Sequence, residues 1–196
     1  MSCRQANVTR DTAETKVRVH VSIDGSGLAD MNSGVRMFDH FLTQIARHGL
    51  FDLTVSCVGD DQHHTVEDVA ICLGRAFNEA LGEKKGITRM AHALVPMDES
   101  LSMVAIDVSG RGAAHVVAPF AGALIGDLES DMVRHFLVTF ATEGRFTLHA
   151  RVEAGLNDHH KAESLFKALA RALDGACRLN ERRLGEVPSS KGILER

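Results

Sequence analysis

The sequence predicts an α/β protein of the α+β type. It is built from two duplicated half-domains, each a mostly antiparallel sheet with two helices, with sheets and helices packed in layers. Three observations predict this. Met37-Phe38-Asp39-His40-Phe41-Leu42 returns 95 residues later as Met132-Val133-Arg134-His135-Phe136-Leu137. A glycine follows each histidine at the same distance (Gly49, Gly144) and leads into an alternating stretch, GLFDLTV or GRFTLHARV. Asp61-Gln62-His63-His64-Thr65-Val66-Glu67 then returns 96 residues later as Asn157-Asp158-His159-His160-Lys161-Ala162-Glu163. Chance likeness between amphipathic helices explains the periodicity. It does not explain two His-His-x-x-Glu strings, each preceded at matched distance by a histidine and a glycine. The halves are read as 10–90 and 91–185 of one compact unit, 1–196, with a functional tail at 186–196. A half with one sheet and two helices cannot cover both sheet faces, so the halves must pack together.

The elements follow in order. Alternation over 15–24 predicts a strand, ended by Gly25-Ser26-Gly27. Residues 38–48 read as a helix closed by Gly49 just past its last turn. A strand over 51–58 ends at Gly59-Asp60, and a helix runs from His63 or His64 to Leu81. The second half repeats the order, with a strand over 101–108, a helix over 130–142, a strand over 145–152 and a helix over 162–177.

Composition narrows the function. The 196 residues are 44% hydrophobic and 24% charged, with 3 prolines, which is a globular rather than a disordered balance. The net charge of −4 and a pI near 6.2 leave no broad basic surface for nucleic acid. No apolar run reaches the length of a membrane span, and the N-terminal stretch has no apolar core of a secretion signal. Cys3, Cys57, Cys72 and Cys177 form no CxxC pair and read as reduced thiols of a cytoplasmic protein. Histidine is the unusual residue: there are 11, with no tryptophan and no tyrosine.

Metal chemistry follows from spacing alone. On a helix, His63 and Glu67 are four apart and His64 and Glu67 three apart, both on one face. Adjacent imidazoles point in different directions, so each His-His pair can serve two sites. Nitrogen with carboxylate oxygen suits manganese, iron, zinc or nickel, and the absence of cysteine argues against a thiolate site. His40 and His135 share the repeat and are natural additional ligands. His48 and His149 lie close to the metal strings in sequence and read as structural or supporting residues. Phosphate is a second theme. Arg89, Arg111, Lys167 and the tail residues Ser189 to Lys191 sit beside turns or helix ends, although each alone is a weak signal and more often a solvated surface charge. No GxxxxGK[ST] is present, which excludes a nucleotide P-loop.

Taken together, the strings resemble the imidazoleglycerol-phosphate dehydratases of histidine biosynthesis. The likeness spans about residues 10–193. It is carried by Arg10-x-Thr12-x-Glu14-Thr15, Phe38-Asp39-His40, Asp61-x-His63-His64-Thr65-Val66-Glu67-Asp68, Gly86-Ile87-x-Arg89, Pro96-Met97-Asp98-Glu99, Asp107-x-Ser109-Gly110-Arg111, Asn157-x-His159-His160-x-x-Glu163, Phe166-Lys167-Ala168 and Pro188-Ser189-x-Lys191-Gly192. The resemblance implies dehydration of D-erythro-imidazole glycerol phosphate to imidazole acetol phosphate, through an imidazolate and diazafulvene-like intermediate on two manganese ions per subunit. Its ligands map onto His40, His63, His64, Glu67, His135, His159, His160 and Glu163. Phosphate contacts map onto Arg89, Arg111, Lys167, Ser189 and Lys191, and contacts to the imidazole or diol map onto Glu14 and Gln44. It also implies self-association as 24 subunits built from trimers, with active sites between subunits.

That chemistry needs a base for the C2 proton and an acid for the leaving hydroxyl. Glu163 is the expected base, with Glu67 its repeat-related alternative, and Glu14 or a metal-bound water is the expected acid. One departure is visible: about three residues fewer than the family norm separate Gly59-Asp60 from His63. Two other readings stand beside the dehydratase, a binuclear hydrolase of a phosphorylated metabolite and a metal-storage or metal-sensing oligomer.

Overall fold

A computed structural model of the chain describes residues 4–194, so Cys3 and the last two residues of the tail lie outside it. The first half comprises β1 (Gln5–Asp11), β2 (Thr15–Ser22), β3 (Ala29–Asn32), α1 (Arg36–Gly49), β4 (Asp52–Gly59) and α2 (Gln62–Leu81). The second comprises β5 (Met90–Met97), β6 (Ser100–Asp107), β7 (Ala113–Val117), the short β8 (Leu124–Ile125) and β9 (Leu128–Glu129), α3 (Asp131–Glu143), β10 (Thr147–Ala154) and α4 (Asp158–Cys177).

The two sheets have one topology. In the first, ordered β1-β2-β4-β3, the first two pairings are antiparallel and β3 lies parallel to β4. In the second, ordered β5-β6-β10-β7, the same senses recur. The strands expected from sequence are β2, β4, β6 and β10, the inner pair of each sheet. The four edge strands escape the sequence reading for two reasons: β1 and β3 carry too few apolar residues to alternate visibly, while β5 (MAHALVPM) and β7 (AAHVV) are largely apolar on both faces and show no period of two.

Strand register dates the differences between the halves. Val8 faces Val19 and Ala93 faces Val104, so the hairpins repeat at 85 residues. From α1 to α3 the offset is 95. The ten extra residues form the loop that holds the β8-β9 hairpin. The offset becomes 96 beyond β10, where the ladder is bulged between Val152 and Ala154.

The inserted hairpin is a strap between the halves. Asp127 at its turn accepts the backbone N–H of Arg36 (3.0 Å) and Met37 (2.8 Å), which are otherwise orphan donors at the start of α1. The Gln62 side chain at the start of α2 donates to the Asp127 carbonyl (2.7 Å) and accepts from the Glu129 N–H (2.7 Å). One short insertion thereby fixes the beginnings of both first-half helices.

The helices lie between the sheets. The inner strand residues Val17, Val19, Val21, Leu53 and Val55 on one side, and Val104, Ile106, Leu148 and Ala150 on the other, are buried against them. α1 packs on α4 and α2 on α3, so the contacts cross between halves. Phenylalanines join them: Phe51 meets Phe77, Phe77 meets Phe140, Phe140 stacks on Phe136, Phe136 on Phe166, and Phe166 on Phe41. Gly74 permits the close approach of α2 to α3, since a Cβ there would lie 2.8 Å from the Phe140 carbonyl. The closure of α1 differs from expectation. Gly49 is the helix's last residue, and Leu50 takes the left-handed conformation at φ 57°. Gly49 is needed for space, because its Cβ would fall 2.3 Å from the Phe51 ring. Gly144, Arg145 (φ 52°) and Phe146 repeat the arrangement after α3.

Asp127→Ala should destabilise the chain by about 1 kcal/mol in urea unfolding at neutral pH, the usual cost of a lost cap. Burial pushes the Asp127 carboxyl up, but the N–H donors of Met37 and Arg36 pull it further down, to below its ordinary value. Its contribution is therefore present above that ordinary value and lost as pH falls through the lowered one. The gap between wild type and Asp127→Ala should shrink on acidification below about pH 4.

Candidate active site

The site is built at the first turns of α2 and α4. Asp61 caps α2 by accepting the His64 N–H (2.8 Å), and Asn157 caps α4 by accepting those of His159 (2.9 Å) and His160 (3.3 Å). The compressed segment after β4 leaves only Asp60 and Asp61 between strand and helix, and the His-His string follows intact. Adjacent rings are nearly perpendicular, at 83° for His63 and His64 and 87° for His159 and His160. One imidazole of each pair points inward in the sense of facing a histidine of the other half, the exposed His63 toward His135 (ring centroids 4.6 Å apart) and His159 toward His40 (5.4 Å), and its neighbour points outward from that pairing.

The inward imidazoles form two clusters, each made from both halves. His40 of α1 joins His159 and Glu163 of α4, and His135 of α3 joins His63 and Glu67 of α2. Within each cluster the candidate ligand atoms lie within 4.8 Å of one another. In the first, Glu163 Oε2 is 3.0 Å from His40 Nε2 and 2.9 Å from His159 Nε2, and Oε1 is 2.8 Å from Lys167 Nζ. Burial raises the Glu163 carboxyl, but the hydrogen bonds from Lys167, His40 and His159 outweigh it and hold the pKa at about 2. The second cluster is looser. His135 Nε2 is 3.8 Å from Glu67 Oε1 and, although buried, has no hydrogen-bond partner among the described residues. Burial, reinforced by the neighbouring His63, holds His135 below its ordinary pKa. Where Glu163 has Lys167 one turn on, Glu67 has Ile71.

The outward imidazoles stay out of both clusters. His64 holds Asp60 Oδ1 at Nδ1 (2.8 Å), with Glu14 Oε2 at 3.8 Å from Nε2. His160 holds Glu99 Oε2 at Nδ1 (2.7 Å), with Asp98 Oδ2 at 3.7 Å from Nε2. Of the residues expected from sequence, Glu14 therefore stands beside His64, and Lys167 stands on Glu163. Gln44 is buried one turn beyond His40, where its Oε1 accepts from His48 Nε2 (3.1 Å) and its Nε2 donates to the His40 carbonyl (3.4 Å).

Arg89 and the tail come together elsewhere. Arg89 donates Nε and Nη2 to Asp107 (2.7 and 3.0 Å) and Nη1 to the Pro188 carbonyl (2.8 Å), while Ser189 Oγ accepts the Lys191 N–H (3.2 Å). Arg111, in the turn after β6, is exposed at the same end of the sheet. This group lies beside Ala176, whose carbonyl accepts the Arg89 N–H. Nine residues of α4, about 14 Å, separate Ala176 from Lys167. One chain thus does not bring the five phosphate candidates into one place. His149 also departs from its expected supporting role: it faces away from α4 on the outer side of the second sheet, with its ring 5.5 Å from that of His115.

Glu99, Asp98 and Asp60 escaped the sequence reading as site residues. The signal for Glu99 was present, since it stands 85 residues beyond Glu14, the hairpin offset.

A family model for imidazoleglycerol-phosphate dehydratase matches residues 33–173. The chain belongs to the imidazoleglycerol-phosphate dehydratase family. Its relatives of that name include one from Dehalococcoides mccartyi, 60% identical over 195 residues with all of both chains covered. Another, from Roseiflexus sp., is 53% identical with 98% of each covered. Among solved structures, the imidazoleglycerol-phosphate dehydratase of Staphylococcus aureus aligns at a TM-score of 0.83 and 30% identity, covering 90% of this chain and 99% of that one. The Pyrococcus furiosus enzyme, in complex with (S)-C348, aligns at 0.83 and 31%, covering 95% and 100%. The activity is accordingly that of a hydro-lyase in histidine biosynthesis. Among the described residues no helix is long and apolar enough to cross a membrane.

Proposed function

We propose that this dehydratase removes water from D-erythro-imidazole glycerol phosphate using two manganese ions per subunit, in a cytoplasmic homo-oligomer whose sites are completed between chains. The two cross-half clusters, with one outward imidazole beside each, carry the reading. The donor set fits a divalent cation. Imidazole nitrogen and carboxylate oxygen suit manganese, and the buried, unpartnered His135 Nε2 faces Glu67 at a distance too long for a hydrogen bond. His40, His159 and Glu163 would hold one ion, and His63, Glu67 and His135 the other. His64 and His160 present Nε2 away from both clusters, where a second copy of the chain can use them.

When bound, the two ions supply Lewis acidity that favours loss of the imidazole ring proton and so departure of the C3 hydroxyl. The protein's own groups do the rest. Glu14, exposed beside His64, protonates the leaving hydroxyl. Glu163 accepts the C2 proton after releasing an oxygen from its present contacts, with Glu67 as the repeat-related alternative. Gln44 orients the imidazole end of the substrate. Arg89, Arg111, Lys167, Ser189 and Lys191 bind the phosphate, with Lys167 and the tail group contributed by different copies, in keeping with their separation in one chain.

The outer sheet faces support self-association. At equivalent positions the first sheet carries Thr9, Lys16, Arg18 and His20, and the second carries Leu94, Leu101, Met103 and Ala105. Met90 and Leu94 are each 59% exposed there, in a frame whose twin keeps that face polar. An apolar sheet face of this extent is the mark of a surface covered by another molecule, here a second copy in an assembly built from trimers.

Three measurements test this. Metal-stripped protein should form the keto product from imidazole glycerol phosphate only after manganese is added, and should release no inorganic phosphate. Phosphate release would favour a hydrolase, and metal binding with neither product would favour storage. Glu163→Gln should keep the assembly and lose at least about 100-fold in turnover, and near-normal turnover would remove Glu163 as the base. Leu101→Lys with Met103→Arg, which gives the second sheet the residues of the first, should yield smaller species in sedimentation with an unchanged far-UV spectrum. Persistence of the full-size assembly would place the interface elsewhere.

A further inference from the structure

The duplication gives the two outward histidines equivalent positions but not equivalent partners. In the first half the Nδ1 of His64 is held by Asp60, from the segment between β4 and α2 (2.8 Å). The residue 96 positions on is Leu156, 86% exposed, which has no acid to offer. In the second half the hairpin turn between β5 and β6 supplies the partner. Glu99 Oε2 lies 2.7 Å from His160 Nδ1. Its other oxygen, Oε1, accepts the backbone N–H of Leu156 (3.1 Å) and Asn157 (2.8 Å), the residues that lead into α4. Asp98, in the left-handed conformation (φ 47°), carries the turn toward the helix and puts its carboxylate at the Nε2 side of the ring.

A carboxylate at Nδ1 decides two things about an imidazole. It fixes the proton on Nδ1, leaving the lone pair on Nε2, and it fixes the ring plane. Glu99 does both while also tying the helix start to the hairpin, so the direction of the Nε2 lone pair is set by two separate elements. We propose that Glu99 is the positioning residue of His160, holding it as the Nδ1-protonated tautomer with Nε2 directed outward to a divalent cation, and that it replaces in the second half the acid that Asp60 supplies in the first. This rests on the reading of His160 as a metal ligand.

The test uses the full-length assembled protein, freed of metal and titrated with manganese(II), with free ion read by electron paramagnetic resonance. Glu99→Gln, whose amide cannot accept from the ring and the two backbone donors together, should weaken one class of manganese sites 10- to 100-fold and leave the other unchanged. Adding Leu156→Asp to that variant copies the Asp60 arrangement and should restore most of the lost affinity. A purely structural role for Glu99 would not be repaired by a new carboxylate at an exposed position. Should Glu99→Gln not fold, Glu99→Asp, which keeps the charge but shortens the reach to Nδ1, reads the same step. Unchanged manganese binding in Glu99→Gln, or a loss that Leu156→Asp does not repair, overturns the proposal. His160→Ala separates this from failure of the underlying reading. If His160→Ala loses a class of sites while Glu99→Gln does not, the ligand stands and the positioning role falls. If His160→Ala also binds manganese as wild type does, both fall.

Discussion

The packing of helices across the boundary between the two halves is the constraint on which the rest depends. α1 needs α4 and α2 needs α3, and Phe136 sits at the crossing with Phe38, Phe140 and Phe166 around it. Each such side chain contributes about 2–3 kcal/mol by leaving water. Phenylalanine ring pairs cross the boundary, Phe38 with Phe136, Phe41 with Phe166 and Phe77 with Phe140. The same crossings bring His40 to His159 and His63 to His135, so one packing arrangement builds both the hydrophobic core and the candidate ligand clusters. Phe41, which stacks on Phe166, also lies edge-on to His159 (6.3 Å), so the apolar stack reaches the cluster wall itself.

Duplication imposes a frame, and differences within that frame are informative because the backbone is held constant. Where the first half buries Asp68 between Arg10 and Thr15, the second places Ser164 against Ser102 at 2.7 Å. An ion pair and a pair of hydroxyls satisfy the same need, a partner for every buried polar atom. The outer faces of the sheets diverge further, from charged to apolar, and that divergence has no use within one chain, since neither face touches the helices. The clusters diverge in charge: Glu163 is tied by an ammonium and two imidazoles within hydrogen-bond distance, whereas Glu67 has no lysine one turn on and stands 3.8 Å from His135. Two sites of common descent therefore differ in electrostatics.

Much of this was legible in the residues, and what was not has physical causes. The four helices and the inner strands announce themselves because each buries one full face. β1 reads QANVTRD and β3 reads ADMN, edge segments with too little apolar content to alternate visibly. The ligand strings are legible because spacing on a helix is local. Which histidine of α1 or α3 meets which string is tertiary information, and His40 crosses to α4 instead of joining the string that follows it in sequence. Gly49 shows a subtler limit. A glycine at a helix end reads as a left-handed closure, yet the Phe51 ring behind it claims the space and passes that conformation to Leu50. Glu99 was hidden by the change of offset, because a repeat tracked at 95 or 96 residues does not align with one at 85.

The position of Lys167 links the two kinds of chemistry in the site. The resemblance gives it a phosphate, and the geometry gives it Glu163. These demands are compatible, because an ammonium has three donors on a flexible stem: one is spent on Oε1, one points to the weak acceptor Met97 Sδ (3.7 Å), and the third is left. A guanidinium in a fixed fork could not divide itself this way. Its charge also adds to the hydrogen bonds from His40 and His159 that together outweigh the effect of burial and keep the Glu163 carboxyl below its ordinary pKa. The first half has Ile71 in that place, with the Arg10 charge interacting with Glu67 instead, and Glu67 is more exposed (41% against 10% for the Glu163 side chain). Exposure and a lysine are thus two solutions to one problem, keeping a carboxylate charged at the turn of a helix where it must meet a pair of histidines.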